Sequence, residues 1–319
     1  MSPRVSVILP AYNAADCLAF ALDSLLVQDL TDFEVLVVDD ASQDQSIDIA
    51  ASYAANDSRI RLLRRENNGG AAAARNLGFR AARGKWLALL DADDTFAPDR
   101  LVHLVNRAEK EEADIIADNL HFVAFPDGTS LGTALPASDP LFKVPLSAAK
   151  FVRGNLFLYR GFKLGYLKPL FRRRFVEHHG LLQNEALRIA EDYHFLLDAL
   201  IRGGRCIVEP QAGYCYSHRP GSLSRSLTLE DLCQLSTANR LDLLRASPQG
   251  AADLRAALKK RQWSVDLNIR LMEFQEAVRR RRVWDAGSIF ARNPDLTPYL
   301  AFYGFQSLRK RISGDRRLV

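Results

Sequence analysis

The sequence predicts an α/β domain built on a largely parallel sheet. Over residues 5–90, short apolar runs alternate with amphipathic stretches in the order strand, helix, strand, helix, strand, helix, strand. Three of the apolar runs stop at polar clusters, at residues 10–13, 39–42 and 91–94. The 319 residues, 48% hydrophobic and 25% charged, allow one large domain with a sizeable core, with or without an appendage.

The elements follow in order. Residues 5–9, VSVIL, form a strand closed by Pro10. Residues 14–28 place Leu18, Ala21, Leu22, Leu25 and Leu26 at a helical period. Residues 33–38, FEVLVV, are a second strand running into Asp39 and Asp40. A helix follows, with Ser42 as its cap before Ile47, Ala50 and Ala51. Residues 60–63 are a third strand, residues 67–70 (NNGG) a turn, residues 71–82 an alanine-rich helix and residues 86–90 a fourth strand. After Pro98 a helix runs to about Glu112, then a strand over residues 113–125 and a loop over 126–140. Residues 151–175 are apolar and basic by turns. Residues 190–201 carry Tyr193, Leu196, Leu197 and Leu200 at helical spacing. Residues 205–224 read as a strand pair or a strand and loop, and from Thr228 the pattern is helical, with a long helix over 251–283. In open α/β sheets ligands bind beyond the carboxyl ends of the strands, so the three polar clusters are expected to face one crevice.

No apolar run approaches the ~18–20 residues that cross a bilayer, and the apolar part of the N-terminal stretch is too short and too soon polar for a secretory signal. A cytoplasmic location is expected. The four cysteines form no CxxC pair or zinc pattern, which points to reduced, mostly buried thiols. The net charge is +5, yet residues 226–319 alone carry 17 Lys+Arg against 10 Asp+Glu. The basic excess therefore belongs wholly to the C-terminal third, and an anionic partner surface is one reading of it.

In WLALLDADDT, Asp91, Asp93 and Asp94 crowd the end of the fourth strand. Such carboxylates suit a hard cation, Mg²⁺ or Mn²⁺, with phosphate oxygens completing the shell. A helix start or solvated turn would also account for them. A DxDxT phosphatase, with Asp91 as nucleophile and Asp93 as acid/base, is a further alternative. That family carries its motif on the first strand and a second acidic pair later, and neither feature is present here.

The segments VSVILPAYNAA, FEVLVVDDAS, ENNGGAAAARNLGFRAARGKWLALLDADD and AEDYHF occur in that order and closely resemble family 2 glycosyltransferases with the GT-A fold. The resemblance covers about residues 4–225. It implies a catalytic domain over 1–225 and leaves 226–319 as a basic helical C-terminal region.

The resemblance further implies an inverting hexosyl transfer from a nucleotide sugar, a UDP-sugar, to a polysaccharide or lipid-linked oligosaccharide. Pro10, Ala11 and Tyr12 look like the base pocket, and Asp40 is expected to accept from the uracil N3–H. Arg75 would lie near the base or pyrophosphate, Asp91 near the ribose, and Asp93 on the metal that bridges the two phosphates. Asp192 resembles the catalytic base, with repulsion from Glu191 and burial expected to set its pKa. Lys168 and residues 172–174 resemble the segment before the acceptor site. Arg219, more than His218, is expected at the pyrophosphate. A non-catalytic nucleotide-sugar-binding scaffold is the alternative from another class.

The C-terminal segment LTPYLAFYGFQSLRKRI combines aromatic and basic residues. Peripheral contact with the inner membrane face, packing on the catalytic domain and homodimer formation are its candidate roles. No nucleic-acid partner is expected, because no recognised module accompanies the charge.

Overall fold

The computed structural model describes residues 2–157, 161–219, 227–246, 252–297 and 299–300. Four parallel strands come first: β1 (Val5–Ala11), β2 (Phe33–Asp39), β3 (Ile60–Arg64) and β4 (Trp86–Leu89), lying side by side in the order β3-β2-β1-β4. Between them run helices α1 (Leu18–Leu26), α2 (Ser46–Asn56) and α3 (Gly70–Ala81). Both sheet faces are covered, so the strands are mostly apolar, and the buried Ser6 and Glu34 on neighbouring strands satisfy each other at 2.7 Å. The period of two then sorts their side chains. Val5, Val7, Leu9, Val35, Val37, Trp86 and Ala88 enter one core, whereas Ile8, Leu36, Val38, Leu87 and Leu89 enter the other. Helix α3 crosses β1 at Gly78, where a Cβ would fall 2.4 Å from the Ile8 Cγ2. Only glycine allows that approach.

The sheet continues through antiparallel and mixed pairings. The short β5 (Thr95–Phe96) precedes α4 (Arg100–Lys110) and the ten-residue β6 (Ile115–Ala124). The expected loop over 126–140 contains a strand, β7 (Ser130–Thr133), paired with β6, and a single 3-10 turn at Pro140–Lys143. Residues 151–175 resolve into the end of α5 (Ala148–Arg153), a three-residue strand β8 (Leu170–Arg172) and the start of α6 (Arg173–His178). Helix α7 (Glu191–Ile201) lies where the periodicity puts it. The expected strand pair is instead one strand, β9 (Cys206–His218), parallel to β6 with a register shift between Asp118 and Leu120. β9 also pairs with β5, which brings its far end to the tip of β4.

Ser42 is not the cap of α2. That helix starts at Ser46 with Gln45 before it, and the Ser42 hydroxyl accepts from the Asn13 N–H at 3.1 Å, tying the tips of β1 and β2. The C-terminal region is helical as predicted: α8 (Leu229–Arg245), α9 (Ala252–Arg279) and α10 (Val283–Arg292). Thr228 and Asp231 form a capping box at the start of α8. Ala246, Ala257 and Leu258 are buried in the same core as α3, α5 and α7, so this region and residues 1–219 share apolar packing. Among the described residues no helix is long and apolar enough to cross a membrane. Most of the aromatic and basic segment near the C-terminus lies outside the described residues.

Candidate active site

The carboxyl ends of β2, β1 and β4 are neighbours, so residues 39–42, 10–13 and 91–94 meet at one edge of the sheet. The Asp40 N–H donates to the Ala11 carbonyl at 2.8 Å, and the Gln43 N–H donates to the Asn13 Oδ1 at 2.8 Å. Asn13 and Ala41 hold positive φ, 48° and 63°. For Ala41, which has no polar side chain to compensate, this costs on the order of 1–2 kcal/mol. Ala11 is buried in the core, Pro10 is half-buried and Tyr12 is 49% exposed. Asp40 turns to the N-terminus of α3. Its two oxygens accept from the Gly69 N–H, from the Gly70 N–H at 2.7 Å and from Arg65 Nη1 at 2.9 Å, so its lone pairs are directed at protein donors.

The centre of the site is a buried ion-pair network. From α3, Arg75 Nη2 reaches Asp91 at 2.6 Å, and Nη1 reaches Glu191 and Asp192, each at 2.8 Å. Lys168 Nζ bridges Asp91 at 2.8 Å and Asp192 at 2.6 Å. Gln183 donates to Asp192 at 3.0 Å. The next residue of α3, Asn76, exchanges two hydrogen bonds with the Gln183 backbone and so fixes the loop that carries Gln183. Arg75 and Lys168 are 4% and 7% exposed as side chains, so each charge here relies on its partners rather than on water. Three carboxylates face two cations.

The network sets the protonation states. Burial alone would raise the Asp192 carboxyl, but the charges of Arg75 and Lys168 outweigh it and hold the group below the usual carboxylate range. The expectation that repulsion within the Glu191–Asp192 pair sets the Asp192 pKa is therefore corrected. Non-local cations dominate. Glu191 behaves as expected: burial, then the Asp192 charge, raises it against the pull of Arg75. Asp91 is held far below its ordinary value, because Lys168 and Arg75 overcome its burial. Ala190, immediately before this acidic pair, is left-handed at φ 61°.

The three aspartates at the tip of β4 have separate surroundings. Asp94 is buried and accepts from the Tyr214 hydroxyl at 2.7 Å and the Ser217 N–H at 2.8 Å, pinning β9 to the tip. The same hydroxyl accepts from the Asp91 N–H at 3.2 Å. Asp93 has no protein cation within ion-pairing distance among the described residues, and burial followed by the Asp91 charge raises its pKa. A half-buried carboxylate with no cation in direct contact, whose burial and neighbouring acid outweigh the more distant Arg219 and Lys168, fits a ligand for a hard cation. Among the described residues no three His, Cys, Asp or Glu side chains gather about one point. A divalent ion at Asp93 would therefore complete its shell from substrate oxygens and water.

Arg219 lies beside this group, 3.4 Å from Asp16, and its charge acts on Asp93. The exposed His218 packs on Phe122 at 5.2 Å. Residues 220–222, the Pro-Gly-Ser that follows, lie outside the described residues. Residues 172–174 are not at the site. Arg172 is buried with two hydrogen bonds to the Ala113 carbonyl, and Arg173 and Arg174 line a cavity of about 240 Å³ at the opposite end of β4, with Arg4, Arg83 and Lys85. Lys168, by contrast, sits at its heart. Sequence reasoning missed Gln183 and Tyr214, and singled out Lys168 and Asp94 without their partners. The KPLF context was the available signal for Lys168, but its partners are distant in sequence. The phosphatase alternative would make Asp91 a nucleophile; its two oxygens pair with Arg75 and Lys168, the same cations that hold Asp192.

The sequence profile of "Glycosyl transferase family 2" matches residues 6–133. The succinoglycan biosynthesis protein ExoO of Rhizobium meliloti (strain 1021) is 43% identical over 251 residues, covering 78% of this chain and 71% of that protein. ExoU of the same organism is 37% identical over 261 residues, covering 80% and 73%. Among solved structures, S. aureus TarS 1–349 in complex with UDP-GlcNAc superposes with a TM-score of 0.65 at 20% identity, covering 90% of each chain. The mannosyltransferase PcManGT from Pyrobaculum calidifontis, in complex with GDP-Man and Mn²⁺, gives 0.61 at 18% identity, covering 97% of this chain and 81% of that one. The structural likenesses show the fold, which is GT-A with a helical C-terminal part. With two relatives matched across more than two thirds of both partners, the chain belongs to glycosyltransferase family 2 and is a glycosyltransferase.

Proposed function

We propose that this glycosyltransferase moves a hexose from a UDP-sugar to a saccharide acceptor, polysaccharide or lipid-linked, in one displacement that inverts the anomeric centre. The observation that carries the reading is the Lys168 bridge. It ties Asp91, two residues from the proposed metal ligand, to Asp192, the proposed base, within 2.8 Å and 2.6 Å of one ammonium. Donor and acceptor chemistry thus share a wall. The names of ExoO and ExoU support polysaccharide synthesis, and the UDP-GlcNAc, GDP-Man and Mn²⁺ of the two structural neighbours support a nucleotide-sugar donor and a divalent ion.

Pro10, Ala11, Tyr12 and Asp40 form the base end of the proposed donor site, Asp91 the ribose contact and Arg219 a diphosphate contact. Mg²⁺ or Mn²⁺ at Asp93 would supply a Lewis acid for the departing diphosphate. Asp192 takes the acceptor hydroxyl proton. A carboxylate held at low pKa is a weak base towards an ordinary alcohol, but the oxygen becomes strongly acidic as it bonds to the anomeric carbon. Proton transfer late in the displacement therefore suits this group. Lys168 and Arg75 keep Asp192 ionised and oriented, and both keep Asp91 as a counter-charge when Asp192 takes the proton. The proposed membrane contact rests on the C-terminal region, where Val283 and Trp284 are 75% and 92% exposed beside four consecutive arginines, residues 279–282.

A screen of nucleotide sugars for thermal stabilisation with Mn²⁺ identifies the donor, and donor hydrolysis with and without chelator then tests the chemistry. Asp93→Ala is expected to lower hydrolysis about 10²–10³-fold. Chelator-resistant hydrolysis that survives this change would remove the reading.

A further inference from the structure

We propose that Phe122, Phe162, Tyr166, Tyr216 and His218 form an aromatic platform that binds a pyranose ring of the acceptor, with Tyr166 as the contact face. The inference rests on the glycosyl-transfer reading and adds the recognition chemistry of the second substrate.

The rings are brought together by topology. β6 and β9 pair with Phe122 opposite Tyr216, and those rings meet edge to face at 5.9 Å. His218, two residues on along β9, meets Phe122 at 5.2 Å and Tyr216 at 5.8 Å. Tyr166 meets Tyr216 at 6.2 Å and Phe162 at 6.3 Å, and Phe162 closes the set on Phe122 at 6.4 Å. These are large aromatic groups, none of them fully buried, and Tyr166 is 40% exposed. A cluster made only for packing would cover them.

The set adjoins the reaction centre on both sides. Tyr166 is two residues before Lys168, the ligand of Asp91 and Asp192. Tyr216 lies between Tyr214 and Ser217 on one side of it, with Tyr214 two residues before and Ser217 next, and those two hold Asp94. Ring chemistry then selects the ligand. The face of an aromatic ring is the negative pole of its quadrupole, so it disfavours a diphosphate. The same face accepts the apolar, weakly positive C–H face of a pyranose. Hydroxyls at the rim of such a sugar would find Asp192, the proposed proton acceptor, and the Lys168 ammonium paired with it.

The test uses saturation-transfer difference NMR with cellobiose as probe, in UDP and Mg²⁺, alongside the UDP-induced shift in melting temperature. The wild type is expected to saturate the axial C–H protons of one ring selectively. Tyr166→Ala and Tyr166→Leu are expected to weaken cellobiose binding about tenfold, and Tyr166→Phe, which keeps the ring, to retain it. The UDP shift reports in each variant that the fold and donor site remain. Cellobiose contact that persists in Tyr166→Ala, or is lost equally in Tyr166→Phe, overturns the platform. So does a wild type that responds to UDP but not to cellobiose. A wild type indifferent to UDP overturns the UDP-donor reading instead, and the cellobiose comparison of the Tyr166 variants then decides the platform by itself.

Discussion

The two ends of β4 both carry interlaced ion pairs, and they differ in one respect. At its amino end Arg83 pairs with Glu34 and Lys85 with Glu109, through cations 62% and 53% exposed. At its carboxyl end Arg75 and Lys168 pair with Asp91, Glu191 and Asp192, through cations 4% and 7% exposed. Similar distances therefore carry different weight. At the amino end the buried Glu34 leans on Ser6, Arg61 and Arg83, while water can replace a partner of the Lys85–Glu109 pair, which is worth about 0–1 kcal/mol. At the carboxyl end nothing replaces it, and removing one member strands a buried charge at about 3–5 kcal/mol. A buried, over-connected charge cluster is a weak way to build stability, which is one reason we propose that the chemistry lies at this end of the sheet.

The largest break in this comparison is Lys168→Met. It should destabilise the protein by about 3–5 kcal/mol, measured by urea unfolding. It should also change the pH profile. Asp192 has a depressed pKa in the folded protein, so its stabilising contribution is present above the unfolded carboxylate pKa and is lost as pH falls through the folded value. Removing the Lys168 charge raises that folded value. The acid limb of transfer activity should move to higher pH, and a profile that stays in place would separate Lys168 from the base.

A smaller and opposite effect is expected at Ala190, whose left-handed backbone holds the acidic pair at the start of α7. Ala190→Gly relieves the steric conflict and should raise stability by up to about 1 kcal/mol. A loss of stability would mean that the methyl group packs more than it strains. The smallest effect belongs to the amino end. Lys85→Ala should change stability by no more than about 1 kcal/mol and leave donor turnover as it was, a difference read from paired melting and hydrolysis assays.

The contrast also explains what the sequence made legible. β1 to β4 and their helices were plain because their information is local: apolar runs, a helical period, a turn at residues 67–70. The tips of these strands followed from the parallel order, and so did their meeting at one end of the sheet. β8 was not legible, since three residues cannot display an alternation. The ion-pair centre was harder still. Lys168 lies 77 residues after Asp91 and 24 before Asp192, and only the antiparallel return of the chain near β8 brings it between them. Sequence adjacency misled at Asp192, where the neighbouring acid suggested repulsion and the folded chain supplied cations, while Glu191 kept the repulsion. Ser42 misled in the same way: as a hydroxyl before a helical run it resembled a cap, whereas the fold uses it to join two strand tips.

The most direct measurement of the central claim compares Asp192→Asn with the wild type in donor binding and in transfer. The amide keeps the shape of the side chain and removes its capacity to take a proton. The account predicts that stabilisation by UDP and Mg²⁺ remains while the rate of sugar transfer falls about 10²–10⁴-fold. Transfer at the wild-type rate in that variant would contradict it.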